Sequence, residues 1–195
     1  MPVYRLGEFI PVIDPAAYVH PEAVVIGDVI IAADVFVGPG AVLRGDFGRI
    51  QLDQGSNLQD TCVMHAFPDK DCVVKKDGHI GHGAILHGCV IGENAMVGMN
   101  AVVMDDSVIA KDSMIAACSF VGAGFSCEER SMIMGIPAKV TRTLKDEEIQ
   151  WKTHGTGEYQ QLAVRCKDQL EIATPLTEAQ ANRPRVSVSD FQPKQ

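Results

Sequence analysis

Aliphatic residues recur at every sixth position in two long runs of this chain. The first passes through Val19, Val25, Ile31, Val37 and Leu43, and the second through Ile91, Val97, Val103, Ile109, Ile115 and Val121. The fifth place of each hexad is small or β-branched: Ala23, Val29, Val35 and Ala41, then Ala95, Ala101, Ser107, Ser113 and Ser119. A period of six matches neither the 3.6 of a helix nor the two of a plain strand. It fits a short strand, a corner and another short strand, with three sides closing a triangular coil of about 18 residues. Each aliphatic residue points into the prism, and the small residue lets the backbone turn at the corner. One coil cannot bury its own apolar face, so coils stack with parallel strands about 4.8 Å apart. A β-sandwich of short strands would not keep a strict six over successive repeats. The pattern predicts an all-β repeat domain, a parallel β-helix, over residues 12–140.

After Gly135-Ile136-Pro137-Ala138-Lys139 the hexads stop. Thr143 followed by Asp146 reads as a capping box opening a helix through Trp151. Tyr159, Leu162, Ala163, Cys166 and Leu170 form an apolar stripe at helical spacing, predicting a second helix within a helical segment over 141–174. Residues 175–195 read as a tail.

The register sets the histidines. Leu58 starts one face and Met64 the next; the loop Phe67 to Asp71 intervenes, and Cys72-Val73-Val74 supplies the third side. Ile80 and Leu86 then return to the first and second faces. His65 and His87 therefore share a column, one coil apart, at roughly 5 Å between Cα atoms. Arg44 falls in that column one coil earlier. His82 lies on the neighbouring face above Asp60, around a corner from the pair, but a threefold axis would bring it to the pair of another copy. Two ligands from one chain and one from the next, with a fourth position open, make the three-imidazole arrangement of a catalytic zinc site. His20, His79 and His154 read as structural or solvent-exposed, His79 being the one nearest the site. Gln59 and Asn57 are candidates to hydrogen-bond the metal's water or the substrate, or else stack as an amide ladder at a corner.

Composition narrows the partners. The 195 residues suit one domain. A net charge of −8 disfavours nucleic acid and anionic membrane as main partners. No apolar run reaches the roughly 20 residues of a membrane span. The six cysteines form no CxxC pair, and the first residues lack an apolar signal core, so a reduced, cytoplasmic protein is expected. Arg44-Gly45-Asp46 reads as an ion pair at a subunit boundary rather than as an adhesion motif.

Leu43-Arg44-Gly45-Asp46, Asn57-Leu58-Gln59-Asp60, His65, Gly81-His82-Gly83 and Leu86-His87-Gly88-Cys89 resemble the γ-class carbonic anhydrase superfamily of hexapeptide-repeat proteins, over residues 12 to 142. Val63-Met64-His65, Gly78-His79-Ile80-Gly81-His82, Val97-Gly98-Met99-Asn100 and Trp151-Lys152 with Glu158-Tyr159-Gln160 are similar to its PaaY and CaiE branch. The ending Gln192-Pro193-Lys194-Gln195 leans toward PaaY. The resemblance implies left-handed coiling and a homotrimer with zinc, or iron or cobalt in its place, at each interface. For PaaY-like members it implies a thioesterase, a hydrolase that clears by-product CoA thioesters of phenylacetate degradation. By family analogy Arg44, Asp46 and Asp60 organise the interface and Gln59 orients the metal's water. The CoA would lie between two prisms, its phosphates meeting basic residues such as Arg44, Arg49, Lys75, Lys76 or Lys139.

Three alternatives stand beside that reading. A carbonic anhydrase would share every ligand, but Phe47 stands where a proton-shuttling glutamate would help and the loop after His65 offers only Asp69 and Asp71. Tyr159 could take part of that role, or simply fill a helix core. A CaiE-like protein would support cofactor synthesis for a partner enzyme without turnover of its own. Acyl transfer would require His79 as base.

Overall fold

The computed structural model describes residues 2–186, 191 and 192. It is a left-handed parallel β-helix of about 7 turns followed by one helix. The first face stacks Tyr18–Val19, Phe36–Val37, Asn57–Leu58, His79–Ile80, Met96–Val97, Met114–Ile115 and Ser131–Gly135, each in parallel register with the next. The second carries Val63–His65, Ile85–His87, Val102–Val103 and Phe120–Val121; the third carries Cys72–Val74, Val90–Ile91 and Val108–Ile109. Two longer strands, Val24–Ile31 and Val42–Leu52, run around the corner between those two faces and pair with each other through a register shift between Gly27 and Val29.

The six-residue period becomes the core directly. Val25, Leu43, Met64, Leu86, Val103 and Val121 are all fully buried in one column along the prism. Each stacks between neighbours one coil away, so truncating a central member such as Leu86 to alanine costs about 2–5 kcal/mol. The corner residues Ala84, Ala95, Ala101, Ser107 and Ser113 are also fully buried, where a larger side chain would not fit. Corners need the left-handed backbone region, and Asp and Asn mostly supply it: Asp34, Asp77, Asn94, Asn100, Asp106 and Asp112 have φ near 55–60°. Thr61, at φ 58°, is the β-branched exception, and it directly follows Asp60.

The coil begins earlier and ends later than the hexads suggest. Val3–Tyr4 already pairs with Val24–Ile31, and Ala138–Thr143 folds back antiparallel on Ser131–Gly135. Two helices were expected; there is one, α1, Asp146–Gln169. Thr143 is not its cap, because it belongs to the last strand. Glu148 fills the role instead, accepting from the Lys145 N–H at 2.9 Å while it pairs with Arg142 at 2.7 Å. Gly155 and Gly157 are carried inside the continuous helix. The stripe of Tyr159, Leu162, Ala163 and Cys166 packs on Tyr18 and Phe36, laying α1 along the first face. No helix of the described residues is long and apolar enough to cross a membrane.

Candidate functional site

Parallel pairing sets His87 beside His65 on the second face, one coil apart. Their rings face each other, His65 Nδ1 lying 3.1 Å from His87 Nε2. Each outer nitrogen is held by a carboxylate. His65 Nε2–H donates to Asp46 Oδ1 at 3.0 Å, and His87 Nδ1–H donates to Asp105 Oδ1 at 2.7 Å. With a carboxylate on each outer nitrogen, the two inner nitrogens are left facing each other 3.1 Å apart, where they can share a proton or ligate a common cation. A ring fixed by a carboxylate, with its free nitrogen turned inward, is the usual state of a metal-bound histidine. The donor set therefore fits a borderline metal ion such as Zn²⁺.

Asp46 is itself fixed by Arg44 Nη1, 2.7 Å away. Its burial would raise the carboxyl pKa, but hydrogen bonds from Arg44 and His65 outweigh that and hold it below the usual range. The expected Arg44–Asp46 ion pair thus forms, and it also orients His65. The pair is flanked by exposed Phe47, 5.5 Å from His65, and exposed Phe67, 4.9 Å from His87.

His82 sits in the corner after His79–Ile80, its Nδ1 bonded to Asp60 Oδ2 at 2.5 Å. It repeats the wiring of the pair, one nitrogen on a carboxylate and Nε2 left over, and its side chain is 45% exposed. Within one chain, among the described residues, no three His, Cys, Asp or Glu side chains converge to hold a metal.

Between the first face and α1 lies a cavity of about 540 Å³ whose wall includes His82, Gln59, Met96, Met99, Trp151 and Tyr159. His79 lies at its base. Its Nε2 lies 2.8 Å from Gln59 Nε2, and its Nδ1 lies 3.2 Å from both Thr156 Oγ1 and Asn57 Nδ2. Burial, reinforced by nearby Lys152, pushes His79 down to about 3, so it is neutral at pH 7 and a weak base. Lys152, buried, donates to Asn94 Oδ1 at 2.8 Å and to the Asp77 carbonyl; burial lowers it to about 7. Tyr159 crosses the His79 ring edge-on at 5.3 Å and burial pushes it up to about 12, so it stands as a neutral phenol at pH 7.

The remaining expected site residues are placed as follows. Gln59 is buried, its amide tied to Asn57 and His79, though it lines the cavity together with His82. Asn57 is fully buried beneath it and so supports Gln59 rather than facing a ligand. The basic residues offered for CoA do not converge: Arg49 pairs with Asp28, Lys75 lies 3.9 Å from Asp53, and exposed Lys76 lines a separate depression with Asp34 and Gln160. Lys139 is exposed on the final strand. Asp105, Lys152 and the cavity-lining methionines were not picked out from sequence. Asp105 was within reach, because carrying the register one coil past His87 puts it opposite Gly88.

The comparisons agree with this architecture. The family described as bacterial transferase hexapeptide (six repeats) matches residues 88–123. The carnitine operon protein CaiE of Salmonella dublin is 54% identical over 195 residues, covering 100% of this chain and 98% of its own. A crystal structure of a hexapeptide transferase family protein from Anaplasma phagocytophilum superposes with a TM-score of 0.81 at 35% identity, covering 87% of this chain and 98% of that one. A Bacillus cereus protein provisionally described as an acetyltransferase gives 0.85 at 27% identity, covering 86% and 98%. The full-length relatives thus bear the carnitine-operon name, where the chain's ending leans toward the phenylacetate one. That ending, Pro193-Lys194-Gln195, lies outside the described residues.

Proposed function

The chain belongs to the CaiE family of hexapeptide-repeat proteins, and from that membership we propose that it is a CaiE-type protein whose threefold assembly holds a divalent metal ion, supporting a partner enzyme of CoA-thioester metabolism. In this reading His65 and His87 of one copy and His82 of the next are the ligands, with zinc preferred and iron or cobalt as alternatives. The observation that carries the metal is the pair of inward ring nitrogens 3.1 Å apart, each ring backed by its own carboxylate. The wiring of His82 to Asp60 and the exposed Phe47 and Phe67 support a site completed by another copy. Those phenyl rings would be shielded at such an interface.

A bound metal would supply Lewis acidity and a nucleophile at neutral pH. The rest falls to the chain. Asp46, Asp60 and Asp105 each hold one nitrogen of the three rings, orienting them so that the other nitrogen is left to ligate. Arg44 holds Asp46 in place. Gln59, locked by Asn57 and His79, presents a fixed amide to the cavity wall beside His82.

One observation favours a catalytic second reading, metal-dependent hydrolysis of an acyl-CoA thioester: the cavity opens alongside His82, so a bound substrate and the metal would be neighbours. Acyl transfer through His79 is disfavoured, because a ring held near pKa 3 has little affinity for a proton at neutral pH. The carbonic anhydrase reading gains nothing from the surroundings of the pair, where Asp46 is tied to both His65 and Arg44 and the exposed neighbour is Phe47 rather than a second carboxylate to shuttle protons.

The test is metal content by mass spectrometry with molar mass by light scattering, followed by thiol release from a panel of acyl-CoAs before and after chelation. One metal per chain in a trimer, absent from His82→Ala, supports the assembly. Thiol release that vanishes on chelation and returns with zinc moves the reading from partner support to thioesterase. A metal-free trimer would overturn both.

A further inference from the structure

The cavity against α1 is built with a feature that the metal centre does not use. Part of its wall is made by Phe191. Phe191 stacks on Trp151, centroids 5.4 Å apart at 29°, and meets His154 edge-on at 5.1 Å. Trp151 Nε1–H donates to the Gln192 carbonyl at 3.0 Å, clamping the tail to α1. The ring rests on Gly155, where an added Cβ would come within 3.0 Å of it. A glycine inside a helix costs about 1 kcal/mol against alanine, and here the space left by the missing side chain is taken by the Phe191 ring. Removing α1's side chain at that point therefore matches the tail's docking, and the cavity remains open with Phe191 in place.

We propose that this cavity is the binding pocket for the apolar acyl group of a CoA thioester, with Phe191 as a fixed wall that sets its size. Met96, Met99, Trp151 and Tyr159 make the remaining sides, and thioether side chains adapt to acyl groups of varied shape. About 540 Å³ suits a medium-chain or single-ring acyl group and far exceeds what an acetyl group fills. His82 lies in the same wall, so an acyl group seated there leaves its thioester carbonyl near the proposed metal. The scattered, carboxylate-paired basic residues argue that recognition rests on the acyl end rather than on the CoA phosphates. The choice of ligand rests on the CoA-thioester reading above; the pocket does not rest on the metal.

Trp151 is the only tryptophan in the chain, so it reports the pocket directly. The full-length protein, with metal and after chelation, is titrated with hexanoyl-CoA, acetyl-CoA and CoA while Trp151 emission is followed. Hexanoyl-CoA should give a saturable change at least about tenfold tighter than acetyl-CoA or CoA, since burial of even two methylenes is worth that much. Met99→Glu, at an exposed position that folding tolerates, should weaken hexanoyl-CoA binding about tenfold or more. Phe191→Ala should weaken it roughly fivefold, as loss of a wall. Equal affinity for CoA and hexanoyl-CoA, no effect of Met99→Glu, or tighter binding in Phe191→Ala would each overturn the proposal. A response that survives chelation, in a protein that proves metal-free, would sink the metal reading and leave the pocket standing.

Discussion

Two histidine clusters lie within a few coils of each other, and their surroundings give them opposite chemistry. On the second face His65 and His87 are each anchored to a carboxylate by the outer nitrogen, which turns the inner nitrogens toward each other. Beneath α1 His79 is anchored by an amide and a hydroxyl, with buried Lys152 close by. Anionic partners prepare an imidazole to bind a cation; neutral partners, burial and a nearby amine prepare it to bind none. His82 shares the first kind of wiring while its corner borders the cavity of the second cluster. In the assembly proposed here it joins the two regions.

The contrast can be broken most sharply at the ligands. His87→Ala should lose essentially all bound metal, whereas His79→Gln should retain it; equal losses, measured on purified protein, would erase the distinction.

The next effect is in acid stability. His79 has its folded pKa depressed from 6.5 to about 3, so the stability it contributes is present above pH 6.5 and is lost as pH falls from there toward 3. Up to about 3 kcal/mol is at stake, discounting the full shift for relaxation around the ring. Denaturant titrations between pH 7 and 4 should show a shallower decline in His79→Gln than in the parent chain. Parallel declines would mean that His79 is protonated in the folded state after all.

A smaller effect sharpens the carboxylate side. Asp105→Asn leaves His87 in place but weakens its anchoring, and outer partners of this kind are worth about 10–100-fold in metal affinity. Competition against a chromogenic chelator reads this directly, with Asn57→Ala, in the other cluster, serving as the variant expected to leave affinity unchanged.

The smallest effect concerns the corner that carries Asp60. Thr61 holds a left-handed backbone with a β-branched side chain. Thr61→Asn should raise stability by about 1 kcal/mol, seen as a higher denaturation midpoint. An unchanged or lower midpoint would show that the threonine's own packing outweighs its strain.

The coil was legible because each core residue meets its counterparts at a fixed step, so periodicity alone carries the three-dimensional neighbour list. That is why the pairing of His65 with His87, and of His82 with Asp60, could be read before any coordinates. Elements outside the repeat were less legible. α1 looked like two helices because its start and its apolar stripe from Tyr159 were read separately, and nothing periodic joins them across Gly155, on which Phe191 rests. Asn57 and Gln59 read either as ligand contacts or as a stacked amide ladder, because their hexad positions do not reveal that α1 covers them; in the structure their amides pair with each other. Lys152, charged by type and buried in fact, gave no local sign of the carbonyls that receive it.

The most direct test of the central claim is complementation between copies. His82→Ala and His65→Ala chains, each metal-free alone, are unfolded together, refolded as mixed trimers and assayed for bound metal. The account predicts that metal returns, because an interface can pair His82 of one variant with the intact His65 and His87 column of the other. Mixed trimers that stay empty, while mixtures containing the parent chain bind metal, would contradict a site shared between subunits.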